Sequence, residues 1–300
     1  MAKATAVLLD YRGLLKVSGA DKREFLQGIV SNDVNRATPE TAIWTAFLTP
    51  QGKFLHEFFL AGMDETLLID CEAERAADLA RRLKLYKLRA QVVIEAADDM
   101  AVVACFGGDA LDRLELPDAP GRARALGGGL VFVDPRLAAL GARAILPGNS
   151  AREVIAEAGF TLGALDDYDA LRLAAGVPDG SRDLEVEKST LMESGFDELH
   201  GIDWDKGCYM GQELTARTRY RGLTKKRLLP IEIDGPAPAP GTAILRGAKE
   251  VGSLRSAVGT GGGASRGLAL LRLDALEAGD MPLTAGAAEV TPRKPDWLKI

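Results

Sequence analysis

The stretch that most constrains the fold is the run Gly-Pro-Ala-Pro-Ala-Pro-Gly at residues 235–241. Proline fixes φ and lacks an N–H donor, so three prolines at alternate positions exclude both a helix and a central strand there. Beyond Lys226 the chain has short apolar runs separated by Pro/Gly turns, at residues 228–233, 243–245, 251–255 and 268–273. Short strands joined by tight turns predict a small antiparallel β-barrel for this part of the chain.

The first 150 residues show another pattern, in which short apolar strands alternate with amphipathic helices. Apolar runs at residues 43–48 and 54–59 flank Pro50-Gln51-Gly52 and predict a hairpin. A further helix is expected over residues 165–175, and residues 177–206 lack strong periodicity. The chain is therefore predicted to be an α+β protein in which an irregular segment leads to residue 206.

A long amphipathic helix is predicted from about residue 72 to residue 88. Its apolar residues are spaced for one face, and the set comprises Ala76, Leu79, Leu83 and Tyr86. Its basic residues are Arg81, Arg82, Lys84 and Lys87. These cations are explained most simply as a solvated helix face and not as a binding site.

Length and composition limit the class of protein. A chain of 300 residues with 47% hydrophobic and 27% charged residues is typical of a globular protein with two or more structural units. No apolar run reaches about 18 residues, and the N-terminus lacks a signal-peptide pattern. We therefore expect a cytoplasmic protein without a membrane partner.

The three cysteines have different surroundings. Cys71 and Cys105 lie in apolar runs and are expected to be buried, whereas Cys208 lies among glycines and cations. Neither His56 nor His200 is spaced from a cysteine as in a metal site, so no closed zinc or iron–sulfur site is expected within the chain. Cys208 is the one candidate for a reactive thiol.

The strongest motif is Lys-Gly-Cys-Tyr-Met-Gly-Gln-Glu at residues 206–213. A thiol reacts as the thiolate, and a nearby cation together with open backbone N–H groups lowers the pKa of a cysteine. Lys206 and the two motif glycines provide such a neighbourhood around Cys208. We interpret this segment as the functional centre of the chain.

A dense row of arginines follows the motif. Arg217, Arg219 and Arg221 alternate with other residues, which predicts a strand with the three guanidinium groups on one face at steps of roughly 6.6 Å. Residues 206–227 hold seven Lys/Arg and one acid, whereas the whole chain has a net charge of −6. The alternative is an ordinary solvated strand face, but the adjacent cysteine favours a binding site.

These motifs resemble those of the YgfZ family, folate-binding proteins of iron–sulfur cluster assembly that are related to the glycine-cleavage T-protein. The resemblance rests on residues 206–213, on Leu214–Gly222 and on Lys225–Arg227, and it extends over nearly the entire chain through residues 17–33, 48–53, 171–178 and 250–272. It implies two interleaved, ferredoxin-like α+β units that form a folate-binding region at residues 1–225, followed by a C-terminal barrel domain at 226–300.

The first functional hypothesis follows from this resemblance. The protein would bind tetrahydrofolate with a polyglutamate tail and support the assembly or repair of iron–sulfur clusters in client proteins, with Cys208 as a redox or transient ligand thiol. It is expected to be an accessory factor, and enzyme activity stays open. The implied motif and folate-binding residues are Lys206, Gly207, Tyr209, Gly211, Gln212, Glu213, Arg217, Arg219, Arg221 and Lys226.

Two other functions compete with this one. The first is a folate-dependent aminomethyltransferase or other one-carbon transferase like the T-protein, but the aspartate of that family is missing, which leaves Glu57 as the substitute acid. Ala174 also replaces the pterin-contacting glutamate of that family. The second is RNA binding with Tyr209 and Tyr220 as stacking platforms, which the negative net charge disfavours.

Overall fold

The computed structural model describes residues 3–276 and 281–299. Two compact units share the chain alternately. The first comprises the stretch up to Leu48, Leu55–Leu165 and His200–Met210, and the second comprises Thr49–Phe54, Asp166–Leu199 and the stretch from Gly211 onward. In the described ranges, no helix is both long and apolar enough to cross a membrane.

The described strands and helices are numbered in chain order. The strands are β1 Thr5–Leu8, β2 Arg12–Ser18, β3 Ala42–Leu48, β4 Phe54–Met63, β5 Thr66–Glu72, β6 Val93–Ala96, β7 Met100–Phe106, β8 Ala123–Leu126, β9 Gly129–Val133, β10 Ala142–Pro147, β11 Thr161–Leu162, β12 Lys226–Asp234, β13 Ala243–Arg246, β14 Lys249–Gly261, β15 Ala264–Arg272, β16 Leu283–Ala285 and β17 Ala288–Pro292. The α-helices are α1 Lys22–Gln27, α2 Ala73–Tyr86, α3 Ala110–Arg113, α4 Ala151–Glu157, α5 Leu165–Ala174 and α6 Gln212–Tyr220.

Two β-sheets form the layers of the first unit. One is a five-stranded sheet of order β3-β4-β5-β2-β6, and the other is a six-stranded sheet of order β11-β1-β7-β10-β9-β8. Every residue of β3 is buried, as expected for a strand covered on both faces. β3 and β4 are neighbours in the sheet, which confirms the predicted hairpin around Pro50-Gln51-Gly52.

Helix α2 packs its apolar stripe inward. Leu79 and Leu83 are fully buried, which confirms the predicted face. The helix ends at Tyr86, two residues before the predicted end, and Tyr86 remains 41% exposed. Leu88, predicted as helical, instead has a φ of +46° in the following turn.

The C-terminal part of the second unit is a closed antiparallel barrel of order β12-β15-β14-β13-β16-β17. Inward side chains from these strands form its core, among them Leu229, Ile231, Leu254 and Leu271. The predicted barrel and the α+β class are therefore confirmed. Strands β16 and β17, of three and five residues, were not predicted because their apolar runs are too short to stand out.

Candidate functional site

The loop that carries Cys208 is fixed by the side chain of Lys206. Its Nζ donates to three backbone carbonyl oxygens, those of Gln27 at 2.9 Å, Val30 at 2.6 Å and Asn32 at 2.8 Å. An ammonium group has three N–H donors, so all of them are used in this anchorage. Burial lowers the pKa of Lys206 to about 8, although the negative charges of Asp33 and Asp203 act to raise it.

Backbone hydrogen bonds tie the same two segments together. The Asp203 N–H donates to Ser31 O at 3.1 Å, and the Met210 N–H donates to Gly28 O at 3.2 Å. The Ser31 hydroxyl in turn donates to the carbonyl oxygen of Gly201 at 2.6 Å. The structure thus joins two motifs that lie about 170 residues apart in sequence. We call His200–Met210 the thiol loop.

Cys208 is exposed on the thiol loop. A Cβ added at the preceding Gly207 would have no heavy atom within 4 Å, so the space beside the cysteine is open. The other two thiols are buried, as predicted, and burial raises the pKa of both Cys71 and Cys105 to about 12. Cys208 is therefore the thiol that an external partner can reach.

Tyr209 points into the protein. It is only 7% exposed, and the Lys206 Nζ lies 5.3 Å from the centroid of its ring. The competing hypothesis that Tyr209 is a platform for stacking an RNA base is disfavoured, because the residue is buried. Tyr209 instead helps to hold the thiol loop, together with the cation that faces its ring.

Two motif glycines meet in the second unit, at the start of α6. Gly211, which precedes the helix, has a φ of +79°, and Gly52 in the β3–β4 turn has a φ of +74°. A Cβ on Gly52 would lie 2.7 Å from the Gly211 carbonyl oxygen and 2.7 Å from the Leu214 Cβ. Both positions therefore require glycine, for conformation and, at Gly52, also for space.

The arginines after the motif lie on a helix, so the predicted strand is wrong. Positions 212–220 form α6, where residues four apart share a face and residues two apart do not. Arg217 and Arg221 are thus on one side, while Arg219 pairs with Asp197 at 3.4 Å. The expected three-step ladder is reduced to two arginines. Alternation over so short a polar segment did not distinguish a strand from a helix.

Glu213 and Gln212 occupy the first turn of α6. A carboxylate in the first turn of a helix interacts favourably with the positive end of the helix dipole. Glu213 is exposed, and Gln212 is partly buried. Both residues therefore belong to the helix that continues from the thiol loop.

The basic residues after α6 divide into two kinds. Lys225 and Lys226 are exposed and, with Arg272 and Asp274, line a cavity of about 430 Å³. Arg227 is buried instead, where it donates to the Met192 carbonyl oxygen at 2.6 Å and pairs with Glu198 at 2.9 Å. The continuous cationic strip expected from the sequence is therefore interrupted by an arginine with a structural role.

A buried charge network in the first unit was not predicted from the sequence. Arg12 pairs with Glu57 at 2.7 Å and with Asp70 at 2.6 Å, and Arg143 pairs with Asp70 at 2.5 Å. Because Asp70 is on β5 and Arg143 is on β10, the network links the two sheets. The available signal was a charged residue inside each of the apolar runs around positions 57, 70 and 143.

This network determines what Glu57 can do. The Glu57 side chain has no exposed surface, because it pairs with Arg12 and also accepts a hydrogen bond from the Trp44 indole N–H. A carboxylate held in this way is not available to steer a folate nitrogen.

Across residues 3–276 and 281–299, no three His, Cys, Asp or Glu side chains form a group that could hold a metal ion.

The chain is similar along its length to named iron–sulfur cluster assembly factors. The iron–sulfur cluster assembly factor IBA57, mitochondrial, of Mus musculus is 31% identical and aligns over 98% of this chain and 85% of its own length. Its counterpart in Homo sapiens is 32% identical over 96% of this chain and 84% of its own length. The IBA57 homolog of Coccidioides immitis (strain RS) is 31% identical over 97% and 76%, respectively.

Two further comparisons concern the fold. The model of the CAF17 C-terminal beta-barrel domain matches residues 225–300. The crystal structure of glycine cleavage system aminomethyltransferase T from Bartonella henselae superimposes with a TM-score of 0.78 at 15% identity, over 99% of this chain and 87% of that one. This likeness establishes the interleaved α+β architecture with its barrel, as the sequence predicted.

The relatives change two of the expectations. They carry the name IBA57, so the resemblance to the YgfZ family pointed to a related family and not to the one that the comparisons show. They are also named as mitochondrial proteins, which contradicts the expected cytoplasmic location. The cytoplasmic prediction rested on the lack of a signal-peptide pattern, which says nothing about other kinds of compartment.

Proposed function

This chain belongs to the IBA57 family of iron–sulfur cluster assembly factors, and we propose from this premise that it supports the assembly or repair of iron–sulfur clusters in client proteins. The observation that carries the proposal is the exposed Cys208 thiol on a loop held by three hydrogen bonds from Lys206. A fixed, open thiol is suited to contact a cluster carried by another protein. In this proposal the protein is an accessory factor and does not hold a cluster permanently.

The thiol acts as a transient cluster ligand in this proposal. Clusters are commonly held by four cysteine thiolates, and Cys208 can supply one of them. The remaining ligands must come from a partner, because Cys71 and Cys105 are buried. The same burial disfavours a redox role through an internal disulfide, since redox cysteines are often placed beside a second, resolving cysteine.

Folate binding forms a second part of the proposal, supported by the resemblance to the YgfZ family. The glutamate tail of folate carries carboxylates, and two exposed arginines four residues apart, Arg217 on α6 and Arg221 at its C-cap, offer guanidinium groups on one side. The pterin anchors expected from the T-protein pattern do not fit: Glu57 is buried in an ion pair, and Ala174 has no carboxylate. We therefore assign the tail to α6 and draw no catalytic step from the pterin.

The same observations disfavour the transferase alternative, which would need an accessible acid beside the folate nitrogen.

Residues 1–225 form the proposed folate-binding region, and residues 226–300 form the proposed barrel domain. Lys206 and Tyr209 position the thiol loop, while Gly211, Gln212 and Glu213 lead into the helix that presents the arginines.

A rescue experiment tests the role of the thiol. Cells that lack the gene are complemented with wild type, Cys208→Ala or Cys71→Ala, and cluster-dependent enzymes are assayed at matched protein levels. We expect Cys208→Ala to lose rescue and Cys71→Ala, which removes a buried thiol, to retain it. Full rescue by Cys208→Ala would refute the proposed ligand.

A binding experiment tests the folate tail separately. Affinities for monoglutamyl and triglutamyl tetrahydrofolate are measured for wild type, for Arg217→Ala/Arg221→Ala and for Arg219→Ala. We expect the double variant to weaken the triglutamate selectively, and Arg219→Ala, which removes an arginine from the other face, to have little effect. Equal weakening of both folates by the double variant would remove the assignment of the tail to α6.

A further inference from the structure

An exposed segment with cationic and apolar residues lies at the end of helix α2 in the first unit. It consists of residues 84–89, which we call the α2 tip. Leu85 is 65% exposed and Leu88 is 90% exposed. Large aliphatic side chains so far out of the core are a cost to solubility, and contiguous exposed apolar surface marks interaction sites. Val93, on the neighbouring strand β6, adds a third exposed aliphatic side chain at 48%.

The backbone of the α2 tip holds Leu88 outward. The Ala90 N–H donates to the Lys87 carbonyl oxygen at 2.8 Å and closes a turn with Leu88 and Arg89 at its centre. Leu88 has a φ of +46°, a conformation that glycine and asparagine adopt easily and leucine does not. The chain thus has a leucine at a turn position where a small polar residue would be more stable. Such local conflicts concentrate at functional sites.

The charged residues of the α2 tip itself are all cationic. Residues 79–91 contain five Lys/Arg and no acid, in a chain of net charge −6. Arg81 and Arg82 pair with Asp78. In the part of the chain that the structure describes, Lys84, Lys87 and Arg89 form no ion pair. The adjacent groove is lined in part by two acids, Glu95 and Asp98, which do not pair with these cations. Three cations therefore remain available beside two exposed leucines.

We propose that the α2 tip docks on the surface of an anionic lipid bilayer. Leu85 and Leu88 would enter the boundary between headgroups and acyl chains, and Lys84, Lys87 and Arg89 would pair with lipid phosphates. A few aliphatic side chains bury far less area than a stable protein–protein interface requires, which favours a fluid surface over an acidic protein. Docking on a bilayer surface needs no membrane-spanning segment. The expectation of no membrane partner rested on the lack of a long apolar run and therefore does not bear on this contact.

Vesicle sedimentation tests the proposal with the full chain. The protein is mixed with phosphatidylcholine vesicles, with or without about 30% phosphatidylglycerol, at low salt. Wild type should sediment only with the anionic vesicles, and it should be released as the salt concentration rises. Each of Lys84→Gln, Lys87→Gln and Arg89→Gln should weaken binding by about fivefold.

Leu88→Asn separates the apolar contribution from folding, because asparagine tolerates the positive φ. It should fold normally and bind anionic vesicles several-fold more weakly. Leu223→Asn changes another exposed leucine, in the second unit, and should bind like wild type. No sedimentation of wild type at low salt, or equal binding by all variants, would overturn the proposal. Binding of an acidic protein at the α2 tip without vesicle binding would overturn it as well.

Discussion

The Nζ atom of Lys206 lies 2.6 Å from the carbonyl oxygen of Val30, across 176 positions of sequence. This contact, with two others from the same ammonium group, fixes the loop on which the exposed thiol stands. The lysine that lies two residues before Cys208 in the sequence thus anchors the loop of that cysteine.

Replacing Lys206 with Met removes three hydrogen bonds while keeping most of the aliphatic chain. We expect a loss of about 1–3 kcal/mol of stability and faster hydrogen exchange at the amides of residues 207–210. Exchange is followed by mass spectrometry, with residues 130–133 in the buried strand β9 as the internal control. Unchanged exchange at residues 207–210 would show that the loop is held by other contacts.

The three thiols should react at very different rates in the folded protein. Cys208 is exposed, whereas burial raises the pKa of Cys71 and Cys105 to about 12 and keeps both protonated. A thiol reagent at about pH 8 should modify one cysteine quickly in the native protein and three after denaturation. The Cys208→Ala variant should show no fast phase, and a second fast thiol in wild type would contradict the described burial.

Breaking the buried charge network should be costly. Arg12→Met leaves Glu57 and part of Asp70 uncompensated in the interior, for which we expect a loss of about 3–5 kcal/mol in urea unfolding. The double variant Arg12→Met/Glu57→Gln removes one of the stranded charges and should recover part of that loss. If the double variant were as unstable as the single one, charge imbalance would not be the cause.

Acid should weaken the fold through His56. Burial lowers the pKa of His56 to about 4, despite its hydrogen bond with Asp78 at 3.1 Å. A base whose pKa is lower in the folded state contributes stability that is complete above pH about 6.5 and is lost as the pH falls towards about 4. We expect this loss to reach at most about 3 kcal/mol.

The measurement for His56 is the free energy of unfolding between pH about 4 and about 7 for wild type and His56→Gln. The variant cannot titrate at this position, so its curve should be flatter over that interval. Identical pH dependence in the two proteins would mean that other groups account for the acid sensitivity of the fold.

Periodicity and turn residues were enough to predict the α+β class and the barrel, and the family resemblance implied the interleaved units, while the side-chain roles needed the folded chain. The Pro/Gly turns around residues 235–241 indicated the barrel correctly, and the spacing of Leu79 and Leu83 indicated the buried face of α2. The alternation of arginines predicted the wrong element, because Arg217–Arg221 is too short for either period to dominate.

The hydrogen-bond partners that hold the thiol loop could not have been predicted in the same way. Lys206 is held by backbone oxygens of residues 27–32, and backbone acceptors leave no mark in a sequence. The network around Arg12 likewise depends on which strands become neighbours. Long-range partners of this kind follow from topology, which local patterns do not encode.

The alternation of the two units along the chain has a consequence for biosynthesis. His200–Met210 completes the first unit, so a ribosome must have passed Met210 before that unit has all of its parts. Until then, the backbone carbonyl groups in residues 27–32 lack the hydrogen bonds that Lys206 donates to them. The nascent protein therefore gains Cys208 and the lysine that anchors its loop in the same step of translation.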